Sequence, residues 1–523
     1  MNLSQFFEHW QIQENPFRGE EARHDAVFAR MAIHRSRERS AEAARSEPAR
    51  GDVSAYHSDF EKIVGDLGAP ATAVVFGEKG SGKTAIRIQI ADEAARHNAR
   101  HPDGRVFLIP YDDLNTELDH LHAQGRDNDP LTTIKSVRLA DHMDAMLSVG
   151  VTRLVDALLR EDDTGEDLRS VDTSRLGRTM RKRARRDLLL LQAVYDRHPL
   201  AHERTNAVRK LLRLATPARE VWSRLLAYGG WVLPVGVLAA FFTIGGGVSN
   251  NYWIGVFSGS VAVWGVFLLK RLFWDRMVRA GIAKRLSRQM RMLDRPEASL
   301  AESLEHLDTL QRQPGVLPVQ DSEEQRYEMF DALRRCLREL GFTGAVVVVD
   351  RVDEPTLVAG DAERMRALVW PLFNNKFLQQ DRFGVKMLLP IELRHALFKE
   401  SASFFQEARL DKQNLIERLT WTGAMLYDLC DARLQACRSP GAEPITLRDL
   451  FTDDVARQDI VDALNQMHQP RDAFKFLYQC LVEHCSNVTA EEQQWQVPRL
   501  VLEHVRKEQA DRVQQLHRGI RPA

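Results

Sequence analysis

Eight consecutive residues, Gly77, Glu78, Lys79, Gly80, Ser81, Gly82, Lys83 and Thr84, match the phosphate-binding loop pattern in full. The chemistry follows from the residue types. Gly77, Gly80 and Gly82 let backbone N–H groups wrap phosphate oxygens because no side chain obstructs them. Lys83 is the expected cation for the β- and γ-phosphates of ATP, and the Thr84 hydroxyl an expected ligand of Mg²⁺. A second element is Val346-Val-Val-Val-Asp350, an apolar run ending in a carboxylate. Asp350 is placed to hold Mg²⁺ through water. Asp353 and Glu354 follow, and one of them is expected to orient the attacking water, Glu354 first and Asp353 second.

These residues need strands and helices to position them. The apolar run Ala71–Phe76 enters the glycine loop as a strand. The segment after the loop carries Ile86 and Ile90 at helical spacing, with Ile88 and Ala94 adding to that surface. Arg105–Tyr111 predicts a second strand after a His-Pro-Asp-Gly turn. Ala345–Val349 is too apolar for an edge and predicts an interior parallel strand. Val385–Leu389 and Ile416–Trp421 predict a fourth and a fifth. From Thr422 to Cys485 the pattern is helical, through Leu426, Leu429, Leu434, Phe474, Leu477, Tyr478 and Leu481, as in a lid after a sheet. The fold class expected is α/β: a P-loop NTPase parallel sheet with a helical lid.

An apolar insertion separates the two chemical elements. Leu225 to Leu269 contains no Asp, Glu, Lys, Arg or His. Gly229–Val248 and Tyr252–Leu269 are each about the length of a hydrocarbon core, with Ser249-Asn-Asn251 as a polar turn between them. Trp231, Tyr252, Trp253 and Trp274 lie near the ends, where interfacial aromatics are favoured. Arg224 precedes the pair, and Lys270, Arg271 and Arg276 follow it. The chain is therefore expected in the inner (cytoplasmic) membrane as a two-helix transmembrane hairpin on a helical stalk, with the ATPase domain and both termini cytoplasmic. Gly255 and Gly259 would allow close helix packing, within one hairpin or between copies. Arg175, Arg178, Arg181, Lys182, Arg183, Arg185 and Arg186 crowd one side. Arg279, Lys284, Arg285, Arg288, Arg291 and Arg295 crowd the other. Anionic lipid is the first partner expected for these blocks, ahead of a solvated face and of nucleic acid.

Composition narrows the classes further. A net charge of −1 over 523 residues implies no global field for polyanions. Cys336, Cys430, Cys437, Cys480 and Cys485 show neither a CxxC pair nor zinc spacing, and suit reduced, packed thiols. The opening MNLSQFFEHW lacks a basic region followed by an apolar run, so no cleaved signal peptide is expected. The expected order is an N-terminal helical segment (1–60), first core half (61–130), stalk (131–224), transmembrane hairpin (225–270), stalk return (271–340), second core half (341–421), lid (422–485) and helical tail (486–523).

The order GEKGSGKT, transmembrane pair, VVVVDRVDE resembles the KAP family of P-loop NTPases, which place membrane helices inside the ATPase domain. That family belongs to the STAND and AAA+-like group, many of whose bacterial members are linked to defence against phage. The family pattern carries two adjacent aspartates and then a third. Here Asp350 and Asp353 match the first and third, and Arg351 occupies the middle, which leaves the water-activating carboxylate open between Asp353 and Glu354. The resemblance covers about residues 60–115 and 340–480. It implies a nucleotide-sensing arginine in Gln469-Pro-Arg-Asp-Ala-Phe474, namely Arg471, and Glu392 as an uncertain substitute for a polar sensor. It also implies an arginine finger acting across subunits, with Arg409 ranked ahead of Arg394 and Arg418. The function expected is a membrane-anchored ATPase acting as a nucleotide-driven switch or oligomeric platform, in anti-phage defence for instance, with a protein partner encoded nearby. The alternatives are an origin-recognition-like ATPase handling nucleic acid, and an oligomeric pore or transport component.

Overall fold

A computed structural model describes residues 1–19, 22–31, 56–125, 129–160, 176–215, 218–244, 250–489 and 494–517. Five strands form one all-parallel sheet in the order β2-β3-β4-β1-β5. They are β1 (Ala73–Gly77), β2 (Arg105–Tyr111), β3 (Phe342–Val349), β4 (Phe383–Pro390) and β5 (Asn414–Ile416). β1 and β4 are buried along their whole lengths, which accounts for their apolar character, broken only by Lys386 in β4. Ala73 of β1 is in register with Lys386 of β4 and Asn414 of β5. β5 ends at Ile416, where the sequence pattern starts it. Beyond that point Arg418 turns to Glu78, and Leu419 N donates to Phe76 O at 2.8 Å, so the chain follows β1 without extending the strand.

Contacts divide the chain into two units, Met1–Glu93 with Val348–Asp353 and Gly384–Ala523, and Ala94–Val347 with Glu354–Phe383. In the first, the lid is larger than 422–485. Phe6, Ile12, Phe17, Val27 and Met31 share one core with Leu426, Leu434, Phe476 and Leu481. Arg433, 2% exposed, fixes this junction: Nε donates to Pro16 O at 2.7 Å and Nη1 meets Asp25 Oδ2 at 2.6 Å. The expected separate N-terminal segment thus belongs to the lid as far as residue 31, and 32–55 lie outside the described residues. The expected separate tail joins the same core through Val501, Leu502, Val505 and Val513 of the helix Arg499–His517. All five cysteines are free and buried.

The second unit is mainly helical. Leu139–Leu159 is buried on nearly all sides, and near its N-terminal end Asp144 meets fully buried Arg326 at 2.8 Å and accepts from Tyr195 Oη at 3.0 Å. Much of the basic blocks expected to face lipid is structural. Arg181 pairs with Glu339, Arg186 with Asp308 at 3.1 Å and Arg291 with Asp141. Arg295 is 5% exposed and donates to Ala193 O at 2.8 Å. Lys182, Arg183, Lys284, Arg285 and Arg288 remain exposed, and Arg175 lies outside the described residues.

Among the described residues one helix, Asn251–Gln289, is long and apolar enough to cross a membrane, and none of its apolar window is buried. At 39 residues it is about 58 Å long at ~1.5 Å per residue. A π-helical turn at Lys270–Trp274 marks where the apolar part gives way to the basic part. The first expected span, Gly229–Val248, is not one straight helix. Val221–Gly229 and Val232–Thr243 meet at 45°, and count as a second span only if the bent pair is taken together. The bend has a local cause. A Cβ on Gly230 would lie 2.2 Å from Leu226 O and 2.8 Å from Trp264 Cδ1, so only glycine lets the helices approach there. Trp264 Nε1 donates to Ala227 O at 2.9 Å, satisfying a carbonyl near the break. Residues 245–249, which include part of the expected polar turn, lie outside the described residues. Side chains added at Gly255 and Gly259 would meet open space, so this pair does not serve packing within the hairpin.

Candidate functional site

The loop after β1 leads straight into the helix Lys83–Arg100. Gly80 and Gly82 have φ of 98° and 95°, a conformation that a side chain would strain. Lys83 folds back over the loop, its Nζ donating to Gly77 O at 2.7 Å and Glu78 O at 3.0 Å. Burial lowers the Lys83 pKa, while Asp353, Asp350, Glu392 and Glu78, in that order, oppose the shift. The lysine expected to meet phosphate is therefore under the charge of four carboxylates.

Asp350 follows β3 and is 1% exposed. Arg87, one helical turn beyond Lys83, brings Nε to 3.6 Å from Asp350 Oδ2. The next residue, Arg351, takes a φ of 62° and turns the chain sharply after the carboxylate. Asp353 is half-buried and Glu354 is exposed. Glu354 falls in the second unit. Thr84 is half-buried, Lys79 exposed. No group of three or more His, Cys, Asp or Glu suited to a metal exists among the described residues.

Arg471 stands against the loop. The helix Pro470–Asn487 opens with proline at its first position, and a Cβ on Gly80 would lie 2.9 Å from Arg471 Cβ and 3.2 Å from its Cδ. Asp472 does not hold Arg471: it pairs with Arg512 at 2.8 Å. The three candidate fingers differ. Arg409 is exposed, with no ion pair among the described residues; Arg394 pairs with Glu417 at 2.7 Å. Arg418 touches the loop itself, at 2.5 Å from Glu78. Glu392 is exposed.

The motifs alone did not single out the flank of the loop. A cavity of about 360 Å³ is lined by Glu78, Ser81, Arg418, Thr420, Trp421 and Gln469, among others. Trp421 Nε1 donates to Ser81 O at 2.8 Å, and His57 meets the indole edge-on at 4.9 Å while its Nε2 contacts Thr420 O at 2.8 Å. Burial lowers the His57 pKa. Buried Ser81 Oγ and Gln469 Oε1 have no hydrogen-bond partner among the described residues. Such atoms are expensive to leave unsatisfied and suit a polar ligand. The apolar pattern carried Trp421 only as the end of a strand; its indole N–H was the overlooked signal. Comparison with protein-family models, curated proteins and solved structures yields no match.

Proposed function

We propose that this chain is a membrane-anchored, Mg²⁺-dependent ATPase of the KAP type, in which bound nucleotide sets the conformation of the lid. The observation that carries the reading is a glycine loop that opens a helix, with Lys83 under the charge of Asp353 and Asp350. In this reading Gly77 to Thr84 cradle the phosphates, and Lys83 exchanges the Gly77 and Glu78 carbonyls for phosphate oxygens. Thr84 and Asp350 hold Mg²⁺, which would supply charge neutralisation between the phosphates. Asp353 orients the attacking water in preference to Glu354, because its charge is the strongest of those opposing the burial of Lys83. Arg471, lying on Gly80, senses the γ-phosphate from the lid. Arg418 is engaged by Glu78 of its own loop and Arg394 by Glu417, so exposed Arg409 stays the first candidate for a finger acting across subunits.

Membrane anchoring rests on the bare apolar helices. Phe242 is 79% exposed, and Ile254 and Val266 are each 64% exposed, a surface too extensive to leave in water. Both flanks carry arginine, so the nucleotide site belongs on the cytoplasmic side of the inner membrane. A homo-oligomeric platform, a protein partner and a role in phage defence extend the family resemblance. The test pairs two assays on the full chain. Wild type should hydrolyse ATP with Mg²⁺ and resist carbonate extraction from membranes; Lys83→Ala should lose hydrolysis and still resist extraction. Normal turnover by Lys83→Ala would refute the phosphate-loop assignment, and release of wild type by carbonate would refute the anchor.

A further inference from the structure

Three guanidiniums converge on one carboxylate where the apolar helices end. Arg224, from the helix Ala218–Gly229, lies 3.3 Å from Glu305 Oε1. Arg271, in the π-helical turn, lies 3.5 Å from the same oxygen, and Arg279 lies 3.5 Å from Glu305 Oε2. Arg312 donates to the Glu305 carbonyl at 2.9 Å, and Arg209 faces His306 Nδ1 at 3.3 Å. Burial, then Arg209, Arg224 and Arg312, lower the His306 pKa against the opposing pull of Glu305, so the imidazole adds little positive charge. Three cations against one anion leave an excess of two positive charges.

The side chains are ordered by their surroundings. Arg271 donates to Ser223 Oγ at 3.3 Å and stands over the Tyr228 ring at 5.7 Å. It is only 15% exposed, and Arg279 17%. The Nε atoms of Arg224 and Arg271 are buried and have no hydrogen-bond partner among the described residues. Aromatic side chains bracket the cluster along the chain: Trp222 is 64% exposed, Tyr228 58%, Phe273 67% and Trp274 60%. Such residues favour the depth of lipid headgroups.

We propose that Arg224, Arg271 and Arg279 form a binding site for the phosphate of an anionic phospholipid headgroup, with Glu305 as the internal anion that the phosphate displaces. Planar guanidinium forks match phosphate oxygens, and their number exceeds what one carboxylate can satisfy. A free phosphate or a nucleic acid would leave the neighbouring aromatic and apolar surface in water, whereas a lipid brings acyl chains to cover it. The proposal rests on the membrane reading above and assigns a specific site within it.

The test uses the full chain in neutral detergent, titrated in parallel with phosphatidylglycerol, phosphatidylcholine and inorganic phosphate. Thermal midpoint and bound lipid by native mass spectrometry are the readouts. Phosphatidylglycerol should remain bound and raise the midpoint, and the other two should not. Combined Arg271→Ala and Arg279→Ala should weaken the apparent affinity by roughly 30-fold. The corresponding lysine pair should lie between, since charge is kept and the fork is lost. Glu305→Gln should strengthen binding by roughly 5-fold. That direction is opposite to the effect of losing a structural ion pair, so it decides the matter even if the alanine pair misfolds. Weaker or unchanged binding in Glu305→Gln, equal retention by the folded alanine pair, or an equal response to inorganic phosphate would each overturn the proposal. Carbonate extraction separates the two readings: a chain that stays in the membrane without this lipid response refutes only the headgroup site.

Discussion

The glycine loop and the apolar hairpin place opposite demands on their residues. At the loop, individual atoms matter: Lys83 Nζ lies 2.7 Å from one carbonyl, Asp350 is 1% exposed, and Gly80 has no room for a Cβ beside Arg471. In the hairpin a collective property matters, namely the absence of charge, and side chains at Gly236, Gly255, Gly259 and Gly265 would all meet open space. The first region should therefore be brittle to single substitutions, and the second tolerant except at its bend.

The sharpest way to break this contrast is at Asp350. Asp350→Asn keeps the shape and removes the charge that meets Arg87 and would meet Mg²⁺, so hydrolysis should fall on the order of 10³-fold. Turnover measured across Mg²⁺ concentrations checks this, and near-normal turnover would remove Asp350 from the site. Asp353→Asn should lower kcat about 10²-fold, with nucleotide binding retained, whereas Glu354→Gln should have less effect. The reverse ranking would return the role to Glu354.

Arg471→Ala comes next. A charge-assisted contact to phosphate is worth about 1.5–3 kcal/mol, so kcat should drop roughly 10- to 100-fold, with binding weakened less than in Lys83→Ala. Asp472→Asn serves as the control. Its partner is Arg512, so it should lower stability without copying the kinetic defect.

Legibility in the sequence follows the same division. β2 is found at its expected bounds because Val106–Ile109 is continuously apolar and a turn precedes the strand. The glycine loop was equally legible, since it depends on local backbone chemistry. What stayed hidden depends on contacts distant in sequence. The union of the N-terminus with the lid rests on Arg433 reaching Pro16 and Asp25, more than 400 positions away. Arg87 beside Asp350, and Trp421 on Ser81, are likewise tertiary facts with no spacing rule behind them. The 45° bend was obscured because an unbroken uncharged run looks the same whether straight or kinked, and only Gly230 against Trp264 separates the cases.

The hairpin supplies the next test. Gly230→Leu should cost roughly 1–3 kcal/mol of stability in detergent, because the side chain must displace Leu226 O or Trp264. Phe242→Ala, at a 79% exposed position, should stay within about 0.5 kcal/mol. Equal effects would mean that the bend is not a constrained feature.

The smallest effect lies at a buried lysine within the sheet. Lys386 of β4 is fully buried, its Nζ donates to Val64 O at 2.8 Å and Ala71 O at 2.7 Å, and no ion pair accompanies it among the described residues. Burial lowers its pKa to about 8 from the model-peptide value of 10.5. The folded-state value is the lower one, so between about pH 8 and pH 10.5 the unfolded chain binds the proton that the folded chain has released. Stability from this group must therefore rise with pH through that window, at up to ~1.4 kcal/mol per pH unit. Below the folded value both states are protonated and the burial cost is present in full. Lys386→Met removes the titration while keeping much of the volume. The difference in thermal midpoint between wild type and Lys386→Met should thus shift in favour of wild type from pH 7.5 to pH 9 by an amount equivalent to about 1 kcal/mol. A difference independent of pH would mean that the two carbonyls keep Lys386 charged throughout. In that case the sheet tolerates a buried cation through hydrogen bonds alone, unlike Lys83, whose burial is opposed by four carboxylates.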